Sequence, residues 1–156
     1  MIREMTAQDV DAAVGIAIDV KMFPAEAIDF LRAHAHGWLE AGKQPGTWVV
    51  DEVDGTVLGV AFYEPRDATD RVWYLTLIAV SPRAHGQGRG AALMHFVESE
   101  LRKADQRLLL IETSATPAYD KTRAFYAKLG YTEVARVPDY YEDGDDMVLF
   151  RKDLRS

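Results

Sequence analysis

The sequence predicts a mixed α/β or α+β fold with about seven strands in a sheet and about four helices. The nearly continuous apolar segment VWYLTLIAV at 72–80 is typical of a strand in the centre of a sheet, and residues 107–113 are predicted to form another buried strand. Asp54-Gly55 separates two β-rich segments and indicates a hairpin turn. Helical patterns stand between only some of the strands, so mixed strand directions are expected rather than a regular βαβ repeat.

In the first half of the chain, a cap, an apolar stripe and turn residues mark the elements. Thr6 is the cap of the first helix, and the apolar residues between Ile28 and Leu39 recur at the spacing of one helix face. The predicted elements are, in order, a strand at 2–5, helices at 6–18 and 25–40, and strands at 47–53, 56–64 and 72–80.

The second half continues with a helix whose apolar face consists of Leu93, Val97 and Leu101 at four-residue spacing. Gly130 is the C-terminal cap of a later helix. The predicted elements are a helix that ends near 103, a strand at 107–113, a helix at 119–129 and strands at 131–137 and 147–152. The segment VPDYYEDGDD between the last two strands is expected to be their connection.

Length and composition indicate one domain that spans residues 1–156. The 48% hydrophobic and 28% charged content matches an ordinary globular protein. The sequence has no cysteine, which excludes disulfides, thiolate metal sites and a covalent thiol intermediate. No apolar run approaches a signal peptide or the roughly 18 residues of a membrane span, so a cytoplasmic protein without membrane contact is expected.

The charge is unevenly distributed along the chain. The net charge of −7 argues against a nucleic-acid partner. Residues 83–128 nevertheless carry eight basic and five acidic side chains, which favours a small anionic ligand there, although chance clustering explains it equally well. His34 and His36 stand two apart on a helix and point to different faces, so no metal site is expected.

The segment SPRAHGQGRGAALM places three glycines between the central strand and the next helix. Several backbone N–H groups lack an intrahelical partner at the start of a helix, and a ligand can approach glycine backbone closely. The helix dipole adds positive potential, and Arg83 and Arg89 flank the glycines. The pattern predicts a phosphate or pyrophosphate site. The alternative is a flexible glycine loop that only caps the helix.

Two other phosphate-binding motifs fit less well. The Walker pattern is absent because no Lys-Ser or Lys-Thr follows the glycines. The dinucleotide fingerprint is a closer competitor, since residues 86–91 fit G-x-G-x-x-[GA] and Glu112 lies about 20 residues further on. However, five residues separate the strand from Gly86, and only 66 residues follow Gly90, too few for a doubly wound sheet.

Two segments carry a family resemblance. LIAVSPRAHGQGRGAALM and TPAYDKTRAFYAKLGYTEV resemble the two signatures of the GNAT superfamily of N-acetyltransferases. Their order, their spacing and the preceding Asp-Gly hairpin agree as well, so the resemblance covers nearly the whole chain. It implies a twisted, mostly antiparallel sheet whose central strands splay to admit coenzyme A, with acetyl-CoA as the co-substrate and an amine as the acceptor. Many relatives dimerise, which leaves a homodimer open.

The resemblance also implies which residues hold acetyl-CoA. Ile78 and Val80 would pair through main chain with the pantetheine arm, and N–H groups near Ala79 would stabilise the oxyanion. Arg123 and Lys121 are candidates for the charged adenosine end, although a solvated helix face explains them equally well. The pyrophosphate would lie against the backbone of Gly86, Gln87, Gly88, Gly90 and Ala91, beside Arg89 and His85. The family has Arg or Gln where this chain has His85, and a neutral imidazole is a weaker anion partner.

For catalysis, the resemblance assigns Tyr126 as the acid that protonates the departing thiolate. A phenol with a pKa of about 10 is protonated at neutral pH and can donate. An attacking amine must lose a proton, and Glu112 at the end of a buried strand is the first candidate for the base. Glu64, Asp139, Asp143 or an ordered water are the alternatives.

The sequence therefore predicts an acetyl-CoA-dependent N-acetyltransferase that acts on a small primary amine by direct transfer, without a metal. A non-catalytic acyl-CoA sensor of the same fold is the main alternative, and a dinucleotide-dependent oxidoreductase is a third. Tyr140 and Tyr141 would either box an apolar part of the substrate or simply order the hairpin.

Overall fold

The computed structural model describes residues 1–155, which form seven strands and four α-helices. The first six elements are β1 (Ile2–Glu4), α1 (Val10–Asp19), α2 (Ile28–Glu40), β2 (Thr47–Val53), β3 (Thr56–Pro65) and β4 (Val72–Val80). The other five are α3 (Arg89–Lys103), β5 (Leu108–Ser114), α4 (Asp120–Lys128), β6 (Thr132–Glu142) and β7 (Asp145–Asp153). The predicted element order is therefore confirmed.

The strands form a mixed sheet in the order β1-β2-β3-β4-β5-β7-β6. The pairs β1–β2, β2–β3, β5–β7 and β6–β7 are antiparallel, whereas β4–β5 is parallel. β4 and β5 pair over only three positions, Val72–Tyr74 with Leu108–Leu110.

The chain divides into two compact units. The first contains Met1–Pro65 and Thr76–Ser99, and its core packs α1 and α2 against inward-facing residues of the strands, among them Trp48 and Phe62. The predicted hairpin between β2 and β3 turns at Asp54 and Gly55, both with positive φ. This is the backbone of a tight two-residue turn.

The second unit contains Arg66–Leu75 and the chain from Glu100 onward. Its strands run β5-β7-β6, and Leu109, Ile111 and Phe150 are among its buried residues. β6 is the edge strand, and all of its residues are exposed.

The largest error in the predicted boundaries concerns the last hairpin. The segment VPDYYEDGDD was expected to be a connection, but β6 extends to Glu142 and the turn is only Asp143-Gly144. The Gly144 N–H donates to Asp139 Oδ1 at 2.8 Å, and the Asp139 N–H donates to Asp146 Oδ1 at 2.9 Å. These bonds bridge a bulge in the β6–β7 register, so the acidic segment continues the ladder as strand.

Candidate active site

The turn that follows β4 has the open backbone that its glycines predict. The Ser81 N–H donates to the Leu58 carbonyl oxygen at 2.8 Å, and a 3-10 turn at Pro82–Ala84 follows. Gly86 and Gly88 then both have φ of +76°, in the left-handed region that favours glycine. Apart from the glycine itself and its two chain neighbours, no atom of the described chain lies within 4 Å of a Cβ built on either glycine. A ligand can therefore reach this backbone.

The start of α3 carries backbone donors that the protein does not use. The Gly88 carbonyl accepts the Ala92 N–H at 3.0 Å, which closes the first turn of the helix. In residues 1–155, the N–H groups of Arg89, Gly90 and Ala91 have no acceptor. Gly88 also has no side chain that could cap them. Three free donors and the positive end of a 15-residue helix suit a phosphate group.

The side chains of this turn hold its own backbone. His85 Nε2 lies 2.7 Å from the Val80 carbonyl oxygen, so this nitrogen donates to the end of β4. The Gln87 side-chain amide reaches the Arg83 carbonyl oxygen at 3.5 Å. His85 was predicted to contact the pyrophosphate, but its Nε2 is already used within the turn, and only Nδ1 is left for a ligand.

The Arg89 side chain is paired within the protein. Its guanidinium binds the Asp51 carboxylate of β2 through two parallel bonds, Nε to Oδ2 at 2.6 Å and Nη2 to Oδ1 at 2.5 Å. Asp51 is completely buried. Arg89 was expected to flank a phosphate with its charge. In the structure that charge is paired with the Asp51 carboxylate through Nε and Nη2, and a contact between Arg89 and a phosphate stays a prediction.

The end of β4 supplies the main chain next to this turn. Ile78 and Val80 are half-buried, and Ala79 between them is buried in the core with Leu77. The alternation of burial is that of a strand with two different faces. Their pairing with a pantetheine arm stays a prediction.

In the second unit, Tyr126 lies in an aromatic cluster with only 4% of its surface exposed. Its ring packs against Tyr131 and Phe150, with centroid distances of 6.0 and 5.8 Å, and against Phe125 at 5.3 Å. Burial raises the pKa of its phenol above the ordinary value. The group is therefore a neutral hydroxyl at any physiological pH, which is the form that can donate a proton.

Glu112 belongs to a second group of polar and aromatic side chains in the same unit. The pKa of Tyr74 is raised mainly by burial and secondly by the charge of Glu112. The pKa of Tyr140 is raised mainly by the charge of Glu112. Burial and the same charge raise the pKa of Tyr141 to about 12. The rings of Tyr140 and Tyr141 meet edge to face at 5.0 Å, and the Arg66 guanidinium lies 5.7 Å from the centre of the Tyr74 ring. The structure thus brings one carboxylate and three phenols together.

Arg123 is a structural residue rather than a free cation. Its Nη1 donates to the carbonyl oxygens of Ser114 and Thr116 at 2.7 and 2.9 Å, and its Nη2 pairs with Asp120. These bonds tie the end of β5 to the first turn of α4. A contact of Arg123 with the adenosine end stays a prediction, and Lys121 is exposed on the helix surface.

With this geometry in place, the comparison with known families is decisive. The acetyltransferase (GNAT) family profile matches residues 17–131, well over half of the chain. The chain belongs to the GNAT acetyltransferase family. An uncharacterised N-acetyltransferase of Methanocaldococcus jannaschii is 28% identical over 109 residues, which is 69% of this chain and 67% of the relative.

Solved structures agree with this assignment. A GNAT-family protein from Desulfovibrio desulfuricans has a TM-score of 0.93 at 29% identity, with 99% of this GNAT chain and 98% of the other covered. A Salmonella typhimurium protein whose structure contains its cofactor acetyl-CoA has a TM-score of 0.79 at 19% identity, covering 100% and 94%. The mixed sheet of seven strands with four helices is the GNAT fold, as predicted.

Two of the alternative bases in this GNAT chain have structural partners. Glu64 accepts the Thr76 hydroxyl at 2.6 Å, and Asp139 holds the β6–β7 turn. No group of three or more His, Cys, Asp or Glu side chains that could hold a metal ion occurs in the described residues. Across the same part of the chain, every helix is too short or too polar to cross a bilayer.

Sequence reasoning missed Asp51 and Tyr74. The signal for Asp51 was available, because TWVVDEV places an acidic residue inside an apolar strand, and a buried carboxylate needs a cationic partner. Tyr74 gave no such signal, since an aromatic residue in VWYLTLIAV is typical of any central strand.

Proposed function

We propose that this GNAT chain transfers the acetyl group of acetyl-CoA to a primary amine of a small molecule, with both substrates bound at once. The observation that carries the proposal is the set of free N–H donors at the start of α3, next to glycines whose backbone is open. Backbone donors at a helix N-terminus bind a pyrophosphate without a metal or a cationic side chain. This matters because the Arg89 guanidinium is already paired with Asp51.

The residues present fit acetyl-CoA. The N–H groups of Arg89, Gly90 and Ala91, with the turn at Gly86–Gly88, would hold the pyrophosphate, and the main chain of Ile78 and Val80 would hold the pantetheine arm. The thioester supplies an activated acetyl group. When the protein holds the thioester beside the amine, a bimolecular collision is replaced by an attack within one complex.

The proposal assigns the two proton transfers to Glu112 and Tyr126. As the amine nitrogen forms its bond to the acetyl carbon, the C–S bond breaks and a thiolate departs. The Glu112 carboxylate would take the proton that the amine loses, and the Tyr126 phenol would give its proton to the thiolate. Solvent then returns both residues to their starting states, so the products are an amide and free CoA.

The side chains around Glu112 support an amine acceptor. A carboxylate attracts an ammonium ion, and the faces of Tyr74, Tyr140 and Tyr141 attract cations as well. The Arg66 guanidinium near the Tyr74 ring already shows this contact within the protein. Tyr140 and Tyr141 are about half exposed and remain reachable from solvent.

The test is release of CoA from acetyl-CoA across a panel of amines that includes small primary amines, amino acids and short peptides with a free N-terminus. We expect turnover with a small amine. Acetyl-CoA at about 100 times its Kd should also stabilise the protein by about 2.7 kcal/mol, a Tm shift of about 5–10 °C. Binding of acetyl-CoA without CoA release on any amine would instead indicate the acyl-CoA sensor. A shift with NAD alone would indicate the oxidoreductase.

A matched pair of variants locates the binding site. Gly88→Asp places a carboxylate in the pyrophosphate position and should abolish the acetyl-CoA shift. Gly144→Asp is the control, because Gly144 has a φ of +82° and equally open surroundings but lies in the β6–β7 turn. Gly144→Asp should keep the shift. Normal binding by folded Gly88→Asp would show that the pyrophosphate lies elsewhere.

A further inference from the structure

The Asp51–Arg89 ion pair joins the strand β2 to the start of α3. Asp51 is 0% exposed, and its two carboxylate oxygens each accept one bond from the Arg89 guanidinium. Arg89 is the first residue of α3 and directly follows Gly88. The pair therefore ends on the segment whose free N–H groups form the candidate phosphate site.

Each of the two charges, taken without the other, is energetically unfavourable at its position. A buried carboxylate is strongly unfavourable unless it is paired and hydrogen-bonded, and a cation in the first turn opposes the helix dipole. Together they compensate, because the acidic partner comes to the positive end of the helix. Well-packed apolar residues could stabilise a fold equally well, so stability alone gives no reason for this pair. A guanidinium–carboxylate pair with two parallel hydrogen bonds also fixes the orientation of the two side chains relative to each other.

The helix lies close to the strands at the same place. A Cβ on Gly59 of β3 would be 2.9 Å from Leu93 Cδ1 and 3.5 Å from the Asp51 Cβ. Leu93 is completely buried and stands one turn after Arg89. The first turn of α3 is thus held against the sheet by packing at Leu93 and by the ion pair at Arg89.

The glycine turn itself has few contacts that could orient it. Apart from their own chain neighbours, Gly86 and Gly88 meet no atom of the described chain where a side chain would begin, and Gln87 is exposed. The turn is tied at its two ends, by His85 to the Val80 carbonyl oxygen and by Arg89 to Asp51. Of these two contacts, only the one between Arg89 and Asp51 also fixes α3, the helix that carries the free N–H donors.

We infer that Asp51 is a positioning residue for acetyl-CoA. By holding the Arg89 guanidinium, it fixes the direction in which the N–H groups of Arg89, Gly90 and Ala91 point. This inference rests on the proposed function, because it takes the ligand of those donors to be the pyrophosphate. Asp51 is buried and does not itself touch the ligand.

The test compares Asp51→Asn with Glu52→Gln. Asn keeps the size of the side chain but loses the charge that binds Arg89. Glu52 is the matched control, since it is the adjacent acidic residue and pairs with Arg3 at 3.2 Å instead. In Asp51→Asn, we expect faster amide hydrogen exchange over residues 86–93 of the free protein. The Kd and KM for acetyl-CoA should rise by about tenfold, while kcat and the KM for the amine change less than about twofold. Glu52→Gln should match the wild type in all of these measurements.

The split between KM and kcat separates positioning from a purely structural role. If the ion pair only stabilised the fold, Asp51→Asn would lower the fraction of active protein, so the apparent kcat would fall at an unchanged KM. That result, or unchanged exchange over residues 86–93, would overturn the inference. Should Asp51→Asn fail to fold, Arg89→Lys keeps the charge pair but loses the two-bond geometry, and it should shift exchange and KM in the same direction.

Failure of the proposed function would look different. It would appear as a wild-type protein that neither binds acetyl-CoA nor releases CoA. The comparison of amide hydrogen exchange between Asp51→Asn and the wild type needs no ligand. It would therefore still show whether Asp51 fixes the glycine turn. Faster exchange in Asp51→Asn with an unchanged Kd would overturn the link between this turn and acetyl-CoA.

Discussion

Tyr126 and Tyr131 pack edge to face, with ring centroids 6.0 Å apart and an interplanar angle of 65°. Both are buried to the same extent, and the Lys152 Nζ lies 5.2 Å from the centre of the Tyr131 ring. Burial is the cause that raises the pKa of the Tyr126 phenol above its ordinary value. The ring of Tyr126 therefore serves packing, and its hydroxyl stays in the form that can donate a proton.

Tyr126→Phe should separate these two roles. It keeps the ring contacts and removes the proton donor, so the Kd for acetyl-CoA should change little while kcat falls by about 10²-fold. Steady-state CoA release with an active amine measures this. Tyr131→Phe is the control, since it removes another buried phenol from the same cluster and should retain turnover. If Tyr126→Phe turns over within about threefold of wild type while chemistry limits the rate, Tyr126 is a core tyrosine only.

Glu112→Gln should lower both kcat and the pKa of Tyr140. Loss of the base should reduce kcat by about 10²-fold. Because the charge of Glu112 is the main cause that raises the pKa of Tyr140, removing it should bring that pKa down toward its ordinary value of 10.0. An NMR titration of the Tyr140 ring measures the second effect without any substrate. Glu64→Gln is the comparison: if it lowers kcat and Glu112→Gln does not, the base has been misassigned.

Gly46→Ala should destabilise the protein far more than Gly42→Ala. The two glycines have nearly the same positive φ, +79° and +76°, so both variants carry the same backbone strain of about 1–2 kcal/mol. Only at Gly46 would the new Cβ meet other atoms, the Tyr63 carbonyl oxygen at 2.7 Å and Phe62 Cζ at 2.9 Å. We expect a further loss of about 1–3 kcal/mol in the free energy of unfolding. Urea unfolding measures both variants, and equal losses would show that the Gly46 site relaxes freely.

Asp9 should contribute stability that depends on pH. Hydrogen bonds from Arg3, above all, lower the pKa of Asp9 from 3.8 to about 2, and Thr6 adds to the effect. The unfolded chain therefore binds its proton first as the pH falls. The contribution, about 1–2 kcal/mol, is complete above pH 4 and is lost as the pH falls toward 2. Asp9→Asn should be less stable than wild type by this amount at pH 7, and the difference should shrink at pH 3. A difference that is the same at both pH values would contradict this assignment.

Much of the fold could be predicted because its signals are local. The Asp54-Gly55 turn, the buried strand at 72–80 and the glycine turn depend on residues close together in sequence, and the structure has each of them in place. The last hairpin was predicted less well. Its acidic segment resembles a loop in composition, and its strand conformation comes from hydrogen bonds such as that from the Asp139 N–H to Asp146.

The sequence by itself determined the order of the elements, the family and the segment with free backbone donors, because backbone conformation and helix ends follow from neighbouring residues. Only the tertiary structure decided where the charged side chains go. Arg89 looked available for a phosphate until β2 placed Asp51 beside it, from 38 positions away in sequence. Arg123 looked available until the end of β5 brought the Ser114 carbonyl oxygen to it. The partners of Arg89 and Arg123 include groups on other elements, and the packing of the whole chain places those groups beside each side chain.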